Sequence, residues 1–144
     1  MLSNFIKFSL SLLLFSVAGF SFAQTAEDIV FEKSTQKFRR VDEGLQITLT
    51  YNFTYKGKTP LQLISPKVDC DCTSVEIPEE DIIPNNSYKV IVHFNTKDKI
   101  GFQERPIKLT FLSTTDRNKK IEKEIVFKGM VKASKETKAK YKQH

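Results

Sequence analysis

The chain has 144 residues and a formal charge of +6, with five Gly, five Pro, two Cys, two His and no Trp. So few Cys and His exclude a multi-disulfide scaffold and a zinc-finger array, and the Gly and Pro content excludes a collagen-like or linker-like chain. This length accommodates one ordinary domain and is too short for two full hydrophobic cores.

The first 23 residues have the composition of a secretory signal peptide. Lys7 is their only charged side chain, residues 8–18 form an uncharged apolar run, and small residues stand at positions −3 and −1 before Gln24. A helix over residues 8–23 rises about 24 Å, short of the roughly 30 Å hydrocarbon layer, which favours cleavage after Ala23 over an uncleaved anchor. A cut before Gln24, which is not a Cys, argues against a lipid anchor. We therefore expect a periplasmic or secreted protein, without a transmembrane segment, in an oxidising space.

The remaining chain shows the two-residue periodicity of β-strands. Because successive side chains of a strand point to opposite faces, alternation of apolar and polar residues predicts a half-buried strand. Pro66 indicates an edge or a bend in one of these strands. The predicted strands are Ile29–Phe38, whose pattern is the weakest, Leu45–Tyr55, Leu61–Val68, Tyr88–Phe94, Ile107–Phe111 and Ile121–Phe127.

Six or seven short strands separated by turn signals predict an all-β fold. We interpret residues 24–131 as an immunoglobulin-like antiparallel β-sandwich of about seven strands, with a closed barrel as the alternative. The Cys…Trp…Cys pattern of antibody domains is absent, so packing alone is expected to hold the two sheets. The predicted core consists of Leu49, Tyr51, Phe53, Leu63, Val90, Val92, Leu109, Phe111 and Phe127.

The C-terminal residues 132–144 are rich in Lys and offer no apolar face to bury. This composition predicts a solvated, disordered tail. The alternative is a polybasic contact to an anionic envelope surface or polymer. Nucleic acid is not an expected partner, because aromatic residues do not interleave with the lysines and an exported protein does not meet it.

Cys70 and Cys72 lie two residues apart in the motif Asp69-Cys70-Asp71-Cys72-Thr73, directly after a predicted strand. A local disulfide requires a bend, because Cα atoms two residues apart in a strand are separated by about 6.6 Å, near the upper limit for a bridge. Two thiolates could instead hold Cu(I) or Zn(II), although the only internal His lies on another strand. Thiol catalysis is opposed by the flanking Asp69 and Asp71. We favour a passive disulfide or simple packing, and the other two chemistries stay open.

Other candidate residues carry weaker signals. His93 alternates with apolar neighbours, so it is expected to face solvent, and no nucleophile or orienting acid can be assigned to it. Glu79–Asp81 is interpreted as a solvated turn, and Asn52 and Asn85 begin acceptor patterns for N-glycosylation. The sequence contains no P-loop, nucleophile elbow, zinc helix or dinucleotide fingerprint. We therefore expect neither an enzyme nor a cofactor.

Several motifs follow one another in a distinctive order: Asn52-Phe53-Thr54-Tyr55, Lys56-Gly57-Lys58-Thr59-Pro60-Leu61, Cys70-Asp71-Cys72-Thr73, Ile83-Pro84-Asn85-Asn86, Val90 to Asn95, Gly101-Phe102 and Phe127-Lys128-Gly129-Met130-Val131. This order resembles the domain-of-unknown-function 1573 family of secreted bacterial proteins. The resemblance covers about residues 29–131, and Asp71 stands where the family usually has Gly, as does Asn85. It implies an immunoglobulin-like sandwich and no established activity.

Two functional hypotheses from different classes follow from the sequence. The first is a non-enzymatic module that binds a protein or an envelope component through an open edge strand or the Cys70–Cys72 loop. The second is a small metal- or thiol-handling protein centred on the same two cysteines. The first is preferred, because no convergent set of acid, base and nucleophile can be named.

Overall fold

The computed structural model describes residues 25–142. The predicted signal peptide, and the cleavage site between Ala23 and Gln24, lie outside the described residues. Within the described part, no helix is long and apolar enough to cross a bilayer.

Within residues 25–142, nine strands form two sheets, which confirms the predicted all-β sandwich. The first sheet has the order β1–β4–β7–β6, and the second has the order β2–β9–β8–β5, with β3 also pairing with β9. The strands are β1 (Ile29–Phe31), β2 (Thr35–Lys37), β3 (Val41–Asp42), β4 (Gln46–Tyr55), β5 (Leu61–Lys67), β6 (Thr73–Glu76), β7 (Ser87–Asn95), β8 (Gly101–Ser113) and β9 (Lys120–Lys132).

The first predicted strand, Ile29–Phe38, is wrong as a single element. The chain leaves β1 after Phe31 and enters the opposite sheet as β2, so this segment contributes one short strand to each sheet. Both β2 and β3 run parallel to β9, whereas the longer strand pairs are antiparallel as predicted. Polar residues 32–34 allow the switch, because they give the chain no apolar side chain to bury between the two strands.

The core lies between the two sheets, and all nine predicted core residues are buried. Aromatic rings connect the sheets, with 5.7 Å between the ring centroids of Phe53 and Phe111 and 5.0 Å between those of Phe94 and Phe127. The hydroxyl of Tyr51 donates a hydrogen bond to the carbonyl of Val126 in the other sheet (2.8 Å). Burial raises the pKa of the Tyr51 phenol, so this side chain stays a neutral donor.

The predicted disordered tail contains a short helix, α1 (Lys135–Tyr141). The Ser134 hydroxyl caps it by accepting a hydrogen bond from the Thr137 backbone N–H (3.1 Å). The Glu43 carboxylate accepts hydrogen bonds from the Thr137 hydroxyl (2.7 Å) and the Ser134 N–H (3.2 Å). These hydrogen bonds lower the pKa of Glu43, and the bond from the Thr137 hydroxyl has the largest effect. The expectation of disorder considered only apolar burial and missed this polar anchor, which lies 91 residues from Ser134 and 94 from Thr137 in sequence.

Candidate functional site

Cys70 and Cys72 are joined by a disulfide in a tight turn between β5 and β6. Their Cα atoms are 5.2 Å apart, closer than in an extended strand. The Cys70 carbonyl accepts a hydrogen bond from Thr73 N–H (3.1 Å), and the Cys72 carbonyl accepts one from Asn95 N–H at the end of β7 (2.8 Å). Cys72 packs against the core, and Thr73 is buried. The loop is thus fastened to the four-stranded sheet.

A disulfide leaves neither sulfur as a thiolate, so metal or redox chemistry here requires prior reduction. Asp69 and Asp71 are exposed, and the described residues contain no group of three or more His, Cys, Asp or Glu side chains that could hold a metal ion. The described non-glycine residues with positive φ are Asn85 and Asp98. Asp71 therefore carries no such strain, and Asn85 takes the left-handed conformation that Asn tolerates better than most other residues.

The chain crosses from one sheet to the other at this loop, which leaves part of β8 without a neighbouring strand on the side away from β9. β5 pairs with β8 only as far as the Lys67–Lys108 pair, after an irregularity that follows Ile64. The chain then leaves the sheet through the disulfide loop and joins the other sheet as β6. Residues Gly101–Ile107 of β8 are consequently paired with β9 on one side only. We call this stretch the open edge.

The hydrogen-bond alternation of β8 identifies the groups that face outward along the open edge. Ser113 N–H donates to the Lys119 carbonyl on the β9 side, whereas Thr114 N–H donates to the Pro60 carbonyl on the β5 side. Because β8 pairs with β9 in an unbroken register, even-numbered residues direct their backbone groups away from β9. The open edge therefore presents the N–H and carbonyl groups of Phe102 and Glu104. Pro106 follows the same phase, so its missing N–H costs no ladder hydrogen bond.

Arg105 lies on the inward face of the open edge and lacks a full set of partners. Its Nη2 donates to Oε1 of the buried Gln103 (3.0 Å), and Nε2 of Gln103 donates to the Lys99 carbonyl (3.2 Å). The Nε of Arg105 is buried without a hydrogen-bond partner. No ion pair among the described residues includes this guanidinium. Arg105 is partly buried, and its buried Nε is a donor for which the described residues supply no acceptor, which is costly.

His93 lies on the outer face of the four-stranded sheet, as predicted, and the structure gives it two partners. Nδ1 hydrogen-bonds with the Thr48 hydroxyl (3.1 Å), and Nε2 contacts Oε1 of Glu76 (2.9 Å). Thr48 on β4 lies directly opposite His93 on β7, whereas Glu76 on β6 is a diagonal neighbour, two residues along the strand from the position opposite His93. With 66% of the Glu76 side chain exposed, this contact contributes little to stability.

The remaining predicted site residues lie on the surface and do not come together with the cysteines. The acidic turn Glu79–Asp81 is exposed, and so are both candidate glycosylation residues. Asn52 lies within β4 and donates a hydrogen bond to Oε2 of Glu32 (3.1 Å). Its amide is therefore part of the sheet surface and is not on a loop.

Sequence reasoning missed Arg105 and the open edge, although two signals for them were present. Arg105 stands at a position where the strand alternation predicts an apolar, inward-facing residue, two residues before Ile107 and four before Leu109. Pro106 stands in the same strand, and a proline marks a strand position whose N–H needs no partner. Neither signal says how far β5 extends along β8, because the end of that pairing is set by tertiary structure.

The family model described as "Protein of unknown function (DUF1573)" matches residues 29–131. The chain belongs to this family. The match begins at β1, includes the disulfide loop and the open edge, and ends at Val131 near the end of β9. No curated protein matches this DUF1573 chain.

Solved structures with the same fold share little sequence with the DUF1573 chain. The ASH/PapD-like domain of human CEP192 has a TM-score of 0.62 at 10% identity, covering 80% of this chain and 93% of that domain. The chaperone YadV has a TM-score of 0.54 at 14% identity, covering 72% of this chain and 52% of that protein. The periplasmic chaperone SfaE has a TM-score of 0.54 at 8% identity, with 72% and 57% covered. These likenesses show a PapD-like, immunoglobulin-like fold.

Proposed function

We propose that this DUF1573 chain is a non-enzymatic, extracytoplasmic binding module that takes up an extended segment of a partner protein along the open edge. The observation that carries the proposal is the stretch of β8 beyond the end of β5, where Phe102 and Glu104 have no strand beside them on the side away from β9. A segment laid beside β8 would form hydrogen bonds with both N–H and carbonyl groups of these residues. Strand addition of this kind provides affinity through the main chain.

The side chains around the open edge keep it accessible. Oε1 of Glu104 lies 2.6 Å from Nζ of Lys128 on β9, so the Glu104 side chain is held over the sheet face, away from the edge. Pro106 limits the unpaired N–H groups to those of Phe102 and Glu104. The edge is therefore long enough for a short segment and too short for the extensive edge-to-edge association that destabilises long unprotected strands.

Arg105 indicates the chemistry of the partner segment. Side chains of an added strand alternate between the two faces, so every second one would point inward beside the Arg105 guanidinium. A carboxylate there would accept hydrogen bonds from Nε and supply the missing counter-charge. We therefore assign an extended segment with an inward-facing Asp, Glu or terminal carboxylate as the preferred ligand.

The fold comparisons support a binding role without identifying a partner. Two of the structural neighbours, YadV and SfaE, are chaperones, and SfaE is periplasmic. The predicted signal peptide is compatible with a similar compartment. At 14% and 8% identity these neighbours bear on the fold alone, and the specific edge and ligand chemistry come from this chain.

The proposal is tested with a displayed library of random ten-residue peptides selected on the purified chain. The matched variants are Glu104→Pro, which removes one open-edge N–H, and Glu104→Ala, which keeps it while losing the same side chain. Selected peptides should bind Glu104→Ala within about threefold of the wild type and Glu104→Pro at least about tenfold more weakly. Equal affinity for both variants, or failure to select any peptide, would contradict strand addition here.

A separate variant tests the proposed preference for an acidic residue in the bound peptide. Arg105→Gln keeps a polar side chain and removes the positive charge, and it should relax the selected consensus at the inward position from acidic to neutral. A consensus without an acidic residue on the wild-type chain rejects the assignment of Arg105, even if strand addition holds.

The alternative, a metal- or thiol-handling protein, is centred on the disulfide loop. The hydrogen bond from Asn95 to the Cys72 carbonyl and the packing of Cys72 favour a structural staple that ends β5 and so opens β8. A Cys70→Ser/Cys72→Ser variant distinguishes the two roles. If the variant still binds the selected peptides, the cysteines serve only as a structural staple. If the reduced wild-type chain binds Zn(II) or Cu(I) and the variant does not, the alternative is supported.

A further inference from the structure

Four exposed apolar side chains gather at one end of the sandwich. Phe102 is 61% exposed, Leu45 52%, Ile100 44% and Met130 36%. Phe102 and Met130 are cross-strand partners on β8 and β9, and Ile100 precedes Phe102 by two residues. The Leu45 carbonyl accepts a hydrogen bond from the Thr96 backbone N–H, and the Leu45 N–H donates to the Thr96 hydroxyl, at the start of the turn that leads to Ile100. Large apolar side chains in such a group mark an interaction surface, whereas single ones do not.

The basic helix α1 belongs to the same end. It starts five residues after Met130, and its anchor, Glu43, is two residues from Leu45. Asp98, in the turn before Ile100, donates its backbone N–H to Oε1 of Glu43 (3.1 Å). Three segments that are distant in sequence are therefore tied together around one carboxylate. We call this surface, with its apolar side chains, the basic end.

The net charge of the described residues resides at the basic end. Nine basic and four acidic residues give it +5, while the other described residues carry 13 of each sign. Two of the four acids are engaged, since Asp42 pairs with Lys132 (3.6 Å) and Glu43 holds α1. The residues counted are Arg39, Arg40, Lys97, Lys99, Lys132, Lys135, Lys138, Lys140, Lys142, Asp42, Glu43, Asp98 and Glu136.

We propose that the basic end docks on the surface of an anionic phospholipid bilayer, with Ile100 and Phe102 in the interface and the lysines against the phosphates. Aromatic and aliphatic side chains beside lysines match the two layers of such a surface, where apolar burial and electrostatic attraction add. Charge complementarity alone would suit any anionic polymer. The exposed Phe102 and Ile100 favour a lipid surface, because a polymer gives them nothing apolar to enter.

The test uses the purified chain and vesicles of phosphatidylcholine alone or with about 30% phosphatidylglycerol. We expect binding to the anionic vesicles only, and at least about tenfold weaker partitioning for Ile100→Ala/Phe102→Ala and for Lys138→Gln/Lys140→Gln. Residues of the same kind outside the basic end serve as matched controls. Val30 and Ile83 are similarly exposed apolar residues, and Lys119 and Lys120 are an exposed pair in the β8–β9 hairpin. Their Ala and Gln variants should bind as the wild type does.

A single-tryptophan reporter separates insertion from adsorption, since the chain contains no Trp. Phe102→Trp should show a blue-shifted emission on anionic vesicles, and Ile83→Trp should not. No binding, equal binding to both vesicle types, or anionic binding that is insensitive to Ile100→Ala/Phe102→Ala would overturn the proposal. A blue shift that is the same for both reporters would also overturn it. These outcomes are independent of strand addition, because no peptide is present and Glu104 is unchanged.

Discussion

Proline substitutions at two positions of β8 test whether its edge is open. Glu104 and Thr110 share the same hydrogen-bonding phase, and both side chains point away from the core. Thr110 is paired with Ile64 of β5, whereas Glu104 has no neighbour on that side. Proline at Thr110 removes a ladder bond and leaves the Ile64 carbonyl without its donor. Proline at Glu104 removes only an N–H that faces solvent.

The two substitutions should therefore differ strongly in their effect on the free energy of unfolding. A lost hydrogen bond contributes about 1 kcal/mol, and an unsatisfied buried acceptor a further 1–3 kcal/mol, so Thr110→Pro should cost roughly 2–4 kcal/mol relative to Thr110→Ala. Glu104→Pro should cost less than about 1 kcal/mol relative to Glu104→Ala. The Ala references cancel the side-chain losses, including the surface ion pair of Glu104 with Lys128.

Urea denaturation of the four variants under non-reducing conditions gives these differences. Amide hydrogen exchange provides an independent check on the wild-type chain. The amides of Phe102 and Glu104 should exchange faster than those of Gln103 and Arg105, which face β9. If Glu104→Pro is as destabilising as Thr110→Pro, or if all four amides are equally protected, another segment covers the edge and the phase assignment fails.

Three further outcomes are expected. Arg105→Met should raise the free energy of unfolding by about 1–2 kcal/mol in urea denaturation, because it removes a partly buried cation that lacks a counter-charge; a loss of stability would show that the guanidinium is satisfied. Cys70→Ser/Cys72→Ser should lower the free energy of unfolding by only about 1.5 kcal/mol, because the loop that the disulfide closes is very short. Intact mass measurement should show that reduction adds two hydrogens to the wild type and none to this variant. Hydrogen bonds, chiefly from the Thr137 hydroxyl, lower the pKa of Glu43, so its anchoring of α1 is complete above the ordinary pKa of a glutamate and is lost as pH falls through the lower folded-state value. The Thr137 amide shift in NMR spectra should follow this titration, and Glu43→Gln should abolish it.

The long strands could be predicted from sequence because each has one face against the core. In β4 and β7 every second residue is apolar, and those residues are the ones that the structure buries. The bend at the cysteines and the edge position of Pro66 also followed from local geometry. In these segments, local preference and tertiary packing point to the same conformation.

The remaining features depend on contacts between distant segments. Residues 32–34 carry no signal for a switch of sheet, and β2 finds its place only through parallel pairing with β9. Helix α1 requires Glu43, and the open edge requires β5 to leave β8 at Lys67. Composition and periodicity describe one segment at a time, so they could locate the disulfide loop but could not show that it opens the neighbouring strand.

Phe102 belongs to both proposed surfaces, yet it contributes different groups to each. Its N–H and carbonyl face the open edge, whereas its side chain is exposed on the outer sheet face at the basic end. Ile100→Ala/Phe102→Ala should therefore weaken vesicle binding and leave peptide affinity within about twofold, and Glu104→Pro should do the reverse. Measuring both affinities on the same variants checks this separation. If either variant impairs both activities to a similar extent, the open edge and the basic end form one site. A substitution in one of two independent sites would leave binding at the other unchanged.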